Sequence, residues 1–211
     1  MSNSKQSSAS QLPITLAMTG ASGAQYGLRL LQCLLQQQQT VNLLVSDAAR
    51  EVLSIEVDVD LPEAAEDIYS FFLNRFAAQQ GQLRVFGKQE WTASVASGSA
   101  PNGAMVICPC STGSLSAIAC GASNNLIERA ADVAIKERRR LILVCRETPL
   151  SEIHLENMLK LARLGATVLP ASPGFYHRPQ SVADMVDFIV ARILQQLGLE
   201  HDLAPRWGIS E

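Results

Sequence analysis

One stretch decides the fold that this sequence predicts: Ile14-Thr15-Leu16-Ala17-Met18-Thr19-Gly20-Ala21-Ser22-Gly23-Ala24-Gln25-Tyr26-Gly27. Its apolar run ends at Gly20 and a helical pattern begins soon after, which indicates a strand, a tight turn and a helix. The small residues of the turn let its amides approach a ligand, and the helix dipole favours an anion, usually a phosphate. Because the glycine spacing matches neither a dinucleotide fingerprint nor a Walker loop, a purely structural turn is the alternative.

Strand and helix patterns alternate along the rest of the chain, starting with leucines at helical spacing between residues 28 and 35. Short apolar runs predict strands at 41–45, 83–86, 105–108, 141–145 and 166–169. Amphipathic patterns predict helices at 48–54, 68–78, 126–140, 156–164 and 182–197. Pro109 is expected to end its strand, and the acidic stretch 56–63 to form a loop. This alternation predicts βαβ units and an open parallel sheet.

Length and composition indicate one domain. A chain of 211 residues with 47% hydrophobic content can bury one large core. We place this domain at residues 13–197, after a Ser- and Gln-rich tail, residues 1–12, that predicts disorder. Residues 198–211 are irregular and carry Trp207, so we expect this second tail to dock on a neighbouring subunit.

Charge and hydropathy exclude several classes of protein. The net charge is −3, so no basic surface indicates binding to nucleic acid or to an anionic membrane. The N-terminal tail lacks the apolar segment of a signal peptide, and no run reaches the roughly 18 apolar residues of a membrane span. A cytoplasmic protein is therefore expected.

The five cysteines indicate a reducing compartment. Their number is odd, and most lie in apolar runs or beside small residues, which is typical of buried free thiols and not of a disulfide framework. No C-x-x-C pair occurs, and Cys108-Pro109-Cys110 has the wrong spacing for a usual zinc site. We therefore expect no metal.

A second small, hydroxyl-rich turn follows the strand at 105–108, and charged residues follow the strand at 141–145. The turn contains Ser111, Thr112, Gly113 and Ser114. Turns that follow parallel strands meet at the carboxyl edge of the sheet, so two such turns predict one crevice. The alternative is that Ser111 and Ser114 only cap a helix. Arg146 and Glu147 at the end of a buried strand are placed for chemistry, because burying idle charges is costly.

The sequence leaves open the roles of several basic residues and of two loops. Arg129 and Lys136 share one helix face and could bind an anion, or form only surface salt bridges. Residues 138–140 are interpreted as a solvated basic face. The stretch 91–102 is too polar for a core and long enough to be a functional loop, and the proline-bounded loop 170–179 predicts either a pocket wall or a subunit contact.

Five segments together form a specific combination: Gly20-Ala21-Ser22-Gly23, Cys110-Ser111, Arg129-Ala130-Ala131-Asp132-Val133 through Lys136-Glu137-Arg138-Arg139, Arg146-Glu147-Thr148-Pro149-Leu150, and Phe175-Tyr176-His177-Arg178-Pro179-Gln180. They resemble the flavin prenyltransferases of the UbiX type. The resemblance extends from about Ile14 to Trp207, and its last two motifs are the most specific. It implies a Rossmann-like (flavodoxin-type) three-layer α/β sandwich that assembles into homo-oligomers, typically dodecamers.

The resemblance also implies an activity. Members attach a dimethylallyl group from dimethylallyl phosphate to N5 and C6 of reduced FMN, without a metal, and the product serves a partner decarboxylase of the ubiquinone or aromatic-acid pathways. The implied flavin-binding positions are Ala21, Ser22, Gly23, Ser46, Ser111, Thr112, Gly113, Ser114 and Arg146. The implied substrate-binding positions, in a pocket shared between subunits, are Trp91, Arg129, Lys136, Tyr176, Arg192 and Trp207. The implied catalytic residues are Ser22, Glu56 and Glu147.

The chemistry of prenyl transfer suits these residue types. Fixed Arg, Lys and Tyr donors stabilise the charge that grows on a leaving phosphate, and aromatic faces stabilise an allylic cation. We assign proton handling near the phosphate to Glu147 or to the phosphate itself, and proton handling near flavin N5 to Ser22 and Glu56. The alternatives are a flavin-dependent cysteine-type decarboxylase and a non-catalytic flavin carrier. The chain lacks the Pro-Ala-Ser-Ala-Asn-Thr turn of the former, and its arginines argue weakly against the latter.

Overall fold

The structure is a computed structural model that describes residues 12–204. The predicted disorder of residues 1–12 lies outside the described residues except at Leu12, and the predicted docking tail, residues 198–211 with Trp207, does so beyond residue 204. Within the described part of that tail, Leu199 and Leu203 pack against the core of the same chain. The disorder and the docking both stay predictions.

Six parallel strands form one sheet with the spatial order β3-β2-β1-β4-β5-β6. The strands are β1 (Ile14–Met18), β2 (Val41–Val45), β3 (Leu83–Phe86), β4 (Met105–Cys110), β5 (Leu141–Cys145) and β6 (Thr167–Pro170). The central strands β1 and β4 and the neighbouring strand β5 are buried along their whole length, as expected for strands that are covered on both faces. The predicted open parallel sheet is confirmed.

Seven α-helices cover the two faces of the sheet within residues 12–204. They are α1 (Ala24–Gln36), α2 (Asp47–Val57), α3 (Ala65–Phe76), α4 (Thr112–Ala119), α5 (Leu126–Lys136), α6 (Glu152–Arg163) and α7 (Val182–Leu197). Side chains of each strand alternate between two cores, so that Leu16 packs with α1, α2, α3 and α7, whereas Ala17 packs with α4, α5 and α6. The result is the predicted three-layer Rossmann-like sandwich.

The strand order places a switch point between β1 and β4. From β1 the chain proceeds through β2 to β3, and from β4 it proceeds in the opposite direction through β5 to β6. The loops after β1 and β4 therefore leave the carboxyl edge on opposite faces of the sheet and open a crevice between them. Ligands of open α/β sheets bind at such a position.

Two predicted element ends are wrong at residues that matter for the site. Helix α2 continues to Val57, so Glu56 lies in a helix and not in an acidic loop. Its apolar spacing continues through Ala49 and Leu53, which belong to the core, to Val57, which is partly buried and packs against it. Strand β4 continues through Pro109 to Cys110, because the ladder with β5 shifts register between Ile107 and Cys110 and needs no amide from the proline.

Two helices on the same face of the sheet as α4 also begin or end at residues other than those predicted. Helix α5 ends at Lys136 and not at 140, because Arg138 adopts a left-handed conformation and the Arg139 amide turns back to Ala134 O at 2.8 Å. Helix α6 begins at Glu152, four residues early, because Ser151 and His154 form a capping box. Most of the stretch 91–102 lies outside the core, as expected, but Ala93 and Val95 are buried.

The thiol and membrane predictions can be compared with the described residues. All five cysteines are free, and all except Cys120 are buried, as predicted. No helix between residues 12 and 204 has the length and apolar character to cross a membrane.

Helix α1 packs unusually close to the sheet at Gly27. A Cβ built there would lie 2.5 Å from Cys108 O and 3.2 Å from the Met18 side chain. We predict that Gly27→Ala lowers the free energy of unfolding by about 1–3 kcal/mol, although alanine is the better helix former. Urea denaturation measures this. As a control, Gly87→Ala should cost little, because its added Cβ would meet only Glu90 Oε2 at 3.9 Å; equal stability of the two variants would contradict the packing argument.

Candidate active site

Thr19 joins the two turns at the switch point. Its side chain is buried, and its hydroxyl donates to Pro109 O at 2.9 Å and accepts the Ser111 amide at 2.8 Å. The Thr19 amide also donates to Pro109 O, at 3.2 Å. The structure thus brings the turns after β1 and β4 into one crevice. Sequence reasoning missed Thr19, although a polar residue between a buried strand and Gly20 was a usable signal.

The N-terminus of α1 is already occupied by an anion of the same chain. The Glu56 carboxylate accepts the Gly23 amide at 3.2 and 2.9 Å and the Ala24 amide at 2.9 Å. These amides were expected to bind phosphate, and the carboxylate takes that place for Gly23 and Ala24. The helix dipole and the two amides then stabilise the carboxylate.

The electrostatic environment keeps Glu56 ionised. Partial burial raises its pKa, but hydrogen bonds from the Ser22 hydroxyl and from the Gly23 and Ala24 amides, together with the charge of Arg146, lower it by more. The net pKa lies below its ordinary value. Glu56 is therefore a fixed negative charge near neutral pH, beside the hydroxyl of Ser22.

Residues that directly follow β5 form hydrogen bonds with both turns. Arg146 Nε donates to Ser22 O at 3.2 Å, and Glu147 Oε2 accepts the Thr112 hydroxyl at 3.4 Å. The Thr148 amide holds the second oxygen of Glu147 at 3.1 Å. Charged groups that follow a buried strand thus border the crevice from the side of α4.

Helix α4 presents a different N-terminus from α1. Ser111 caps it, since its Oγ accepts the Ser114 amide at 3.2 Å and contacts the Ser114 hydroxyl at 3.1 Å. The capping role that was the alternative for Ser111 is therefore present. The preceding first-turn amides, of Thr112 and Gly113, have no acceptor inside a helix. A Cβ added at Gly113 would meet only Ser111 Oγ, at 3.9 Å, so this helix end is open.

Ser46 lies at the same edge of the sheet, after β2. Its amide donates to Met18 O at 3.1 Å, and its hydroxyl accepts the Ala49 amide at 3.1 Å as the cap of α2. The hydroxyl thus has a structural partner and stands beside the turn that follows β1.

The four residues expected to bind prenyl phosphate do not meet within one chain. Arg129 donates to Ala96 O at 3.1 Å and pairs with Asp132 at 2.8 Å, and Lys136 pairs with Glu137. Both lie in the layer of α5, whereas Tyr176 and Arg192 belong to the opposite layer, in the loop before α7 and on α7 itself.

The direction of α5 accounts for the position of Lys136. The helix begins at the carboxyl edge, where the Leu126 amide donates to Lys88 O, and the chain reaches the amino edge at Arg140, whose carbonyl accepts the Met105 amide. Eleven residues of helix span about 16 Å. Within one chain, Lys136 therefore lies far from the turn at Ser111.

The aromatic residues also lie apart. Tyr176 is 81% exposed and Trp91 is 46% exposed. An open cleft adjoins Tyr176 and not the two turns, and Phe175, Arg178, Val182 and Met185 help to line it. Trp207 lies outside the described residues.

Of residues 138–140, which were interpreted as a solvated basic face, Arg138 and Arg140 are exposed as expected, whereas Arg139 is half-buried and the interpretation is wrong for it. Arg139 Nη2 donates to Gly98 O at 2.6 Å and to Ala100 O at 2.9 Å. Arg140 Nη1 donates to Gln196 O at 2.5 Å. Backbone carbonyls of distant segments attract these guanidinium groups, and sequence spacing does not reveal such partners.

No group of three or more potential metal-ligating side chains occurs within residues 12–204. Cys108 and Cys110 belong to different core clusters, on opposite faces of β4. Burial raises the pKa of Cys108 far above its ordinary value.

The family described as Flavoprotein matches residues 2–194 of the chain. The flavin prenyltransferase UbiX of Pseudomonas aeruginosa is 64% identical over 195 residues, which cover 92% of this chain and 93% of the relative. The chain belongs to the UbiX-type flavin prenyltransferases. A second member, from Methanocaldococcus jannaschii, is 42% identical over 93% of this chain and 99% of its own length.

Solved structures of the UbiX type agree with this assignment. A crystal structure of AnUbiX (PadA1) in complex with FMN and dimethylallyl pyrophosphate superimposes with a TM-score of 0.83 and 37% identity, and covers 95% of this chain and all of that chain. A dodecameric FMN-dependent UbiX-like decarboxylase from Escherichia coli O157:H7 has a TM-score of 0.81 and 39% identity, over 93% of this chain and 99% of its own. The cysteine decarboxylase TvaF shares only the fold, at 17% identity and a TM-score of 0.55.

The Glu56 contacts predict a pH-dependent contribution to stability. Because the folded pKa lies below the ordinary value of 4.5, the ionised carboxylate stabilises the fold above about pH 4.5, and this stabilisation is lost as the pH falls through the folded pKa. Glu56→Gln should therefore lower the free energy of unfolding most near neutral pH, with a smaller deficit in acid. Urea titrations across this range measure the difference. The exposed Glu51→Gln on the same helix is the matched control, and a deficit independent of pH would contradict the assignment.

Proposed function

We propose that this protein transfers a dimethylallyl group from dimethylallyl phosphate to N5 and C6 of reduced FMN, and that the prenylated FMN serves a partner decarboxylase. The observation that carries this proposal is the 64% identity, over nearly the whole chain, with a flavin prenyltransferase. The site supports it, since Arg146 and Glu147 border a crevice that has one open helix N-terminus.

The residues of the crevice fit FMN. The open amides of Thr112 and Gly113 suit its phosphate, whereas the amides at the start of α1 already hold Glu56. Ala21, Ser22 and Gly23 form one wall, and Ser46 and Arg146 stand beside it. Reduced FMN, when bound, supplies the nucleophilic atoms that receive the five-carbon group.

The contacts of Ser22 suggest separate roles for it and for Glu56. The ionised Glu56 accepts the Ser22 hydroxyl proton in a hydrogen bond, so a lone pair of Ser22 Oγ remains available to the crevice. When Ser22 Oγ receives a proton from flavin N5, the hydroxyl proton of Ser22 passes to Glu56, so the carboxylate both orients Ser22 and is the final proton acceptor.

Glu147 is our candidate for proton handling beside the leaving phosphate. Its oxygens are fixed by Thr112 and Thr148 at the entrance of the α4 turn. We predict that Glu147→Gln loses at least about a hundredfold in turnover, as is typical for removal of an acid–base group, while FMN remains bound. Turnover and flavin content of the purified variant test this together. Turnover equal to that of the unchanged protein would exclude the carboxylate from the mechanism.

We further propose that each prenyl-phosphate site draws on more than one copy of the chain. Arg129 and Lys136 lie on one layer and Tyr176 and Arg192 on the other, and a UbiX-like relative is dodecameric. Donors from a neighbouring copy can complete the anion site that one chain leaves open.

Mixed assemblies test this sharing. Lys136→Ala and Glu147→Gln should each be inactive alone, because every site lacks one group. Random co-assembly in equal amounts should restore about a quarter of the unmodified activity, since a site draws its lysine and its glutamate from different copies. Co-assembly of Glu147→Gln with itself under the same treatment is the control. No recovery in verified mixed oligomers would contradict a shared site.

The decisive experiment is anaerobic incubation of the protein with reduced FMN and dimethylallyl phosphate, followed by mass analysis of the released flavin. A flavin heavier by one five-carbon unit, formed only with protein, supports the proposal. A parallel reaction with the pyrophosphate compares the two donors. Unmodified flavin from a folded, FMN-loaded protein in both reactions would favour a decarboxylase or a flavin carrier instead.

A further inference from the structure

Two arginines of the α5 region bind the backbone of the segment 96–100. Arg129 donates to Ala96 O at 3.1 Å, and Arg139 donates to Gly98 O at 2.6 Å and to Ala100 O at 2.9 Å. The three acceptors are alternate residues, which present their carbonyls to one side where the backbone is extended. The backbone at Ser97 is extended, with φ −112° and ψ 133°. The segment is therefore fixed against α5 at three successive points.

Gly98 lies directly against the ion pair of Lys136 and Glu137. A Cβ built on Gly98 would lie 2.6 Å from Lys136 Nζ and still closer to the Glu137 carboxylate. The ion pair thus fills the space that a side chain at position 98 would need. The two charged side chains remain 45% and 37% exposed, so the ammonium group is held in place and is still accessible.

We propose that Arg139 and Gly98 position the ammonium group of Lys136 for the phosphate of the prenyl donor. This inference rests on the proposed function, in which Lys136 contacts that phosphate. Arg139 acts as a positioning residue, because it contacts the backbone of Gly98 and not the substrate. Gly98 contributes through the absence of a side chain, which leaves the ammonium group its place beside Glu137.

Other contacts anchor the same segment independently of Arg139. Asn102 Nδ2 donates to Ser94 O at 2.9 Å, and its Oδ1 accepts the amide group of Asn42 at 2.9 Å. Arg129 holds Ala96 separately. Loss of Arg139 should therefore shift the backbone locally at Gly98 without unfolding the protein or disturbing the flavin turns, which belong to the opposite edge of the sheet.

The test uses the complete FMN-loaded oligomer and three variants with one control. Gly98→Ala displaces only the ends of flexible side chains, Arg139→Gln removes both carbonyl contacts, and Arg139→Lys retains one donor. Arg138→Gln is the control, because it removes the same charge from the neighbouring exposed residue. Calorimetry measures the Kd for dimethylallyl phosphate directly, steady-state kinetics measure KM and kcat, and the Kd for FMN and the Tm are followed in parallel.

We expect Gly98→Ala and Arg139→Gln to raise the Kd and KM for dimethylallyl phosphate about tenfold. Arg139→Lys should recover part of the loss, and Arg138→Gln should match the unchanged protein. The Kd for FMN should stay the same in all four, and the Tm should fall by only a few degrees in Arg139→Gln, because two hydrogen bonds to carbonyls are lost. An unchanged Kd for dimethylallyl phosphate in Gly98→Ala, or a parallel loss of FMN affinity in Arg139→Gln, would overturn the positioning role.

Failure of this inference is distinguishable from failure of the proposed function. If the unchanged protein prenylates FMN and the variants bind dimethylallyl phosphate normally, only the inference fails. If the unchanged protein binds no dimethylallyl phosphate and forms no prenylated flavin, the proposed function fails and the inference fails with it.

Discussion

The site depends on one buried hydroxyl group. At the switch point the chain leaves β1 and β4 toward opposite faces of the sheet, and the ladder between the two strands can no longer hold the turns together. Thr19 replaces that ladder by bonding both Pro109 O and the Ser111 amide. A buried polar group left without a partner costs about 1–3 kcal/mol, so each of these three groups needs the others. The separation of the two turns, and with it the width of the crevice, follows from this contact.

The two helix N-termini at the crevice differ in whether the positive end of the helix dipole is already neutralised. Helix α1 is neutralised by Glu56 from within the chain, whereas the first turn of α4 stays open. Two equivalent positive ends would compete for one phosphate, and the internal carboxylate removes one of them from that competition. The same carboxylate accepts a hydrogen bond from Ser22. In the proposed function, one residue therefore leaves α4 as the open helix end for the phosphate and receives the proton that Ser22 passes on.

Most of the fold could be predicted because the parallel strands are buried on both faces, and their apolar runs, such as 141–145, end at clear turn signals. The two turns were identified for the same reason. Prediction failed where a distant partner decides the outcome. The acidic residues after Glu56 indicated a loop, although Leu53 and Val57 continue the helical spacing of α2. The carbonyl partners of Arg139 lie in a segment about forty residues away, so only the three-dimensional packing reveals them. The scattering of Arg129 and Arg192 over two layers likewise has no signature in residue spacing.

The contacts of Glu56 have a consequence for how a ligand is received. Gly23 adopts φ +111°. A glycine in an unfolded chain can take many other conformations, and the Glu56 carboxylate on α2 holds Gly23 in this one by accepting its amide. The conformational entropy of this turn is therefore lost during folding and not at the moment of binding. A ligand that arrives meets a rigid wall, so more of the interaction energy remains available as affinity. The backbone of this turn should therefore have the same conformation in the protein with and without a bound ligand.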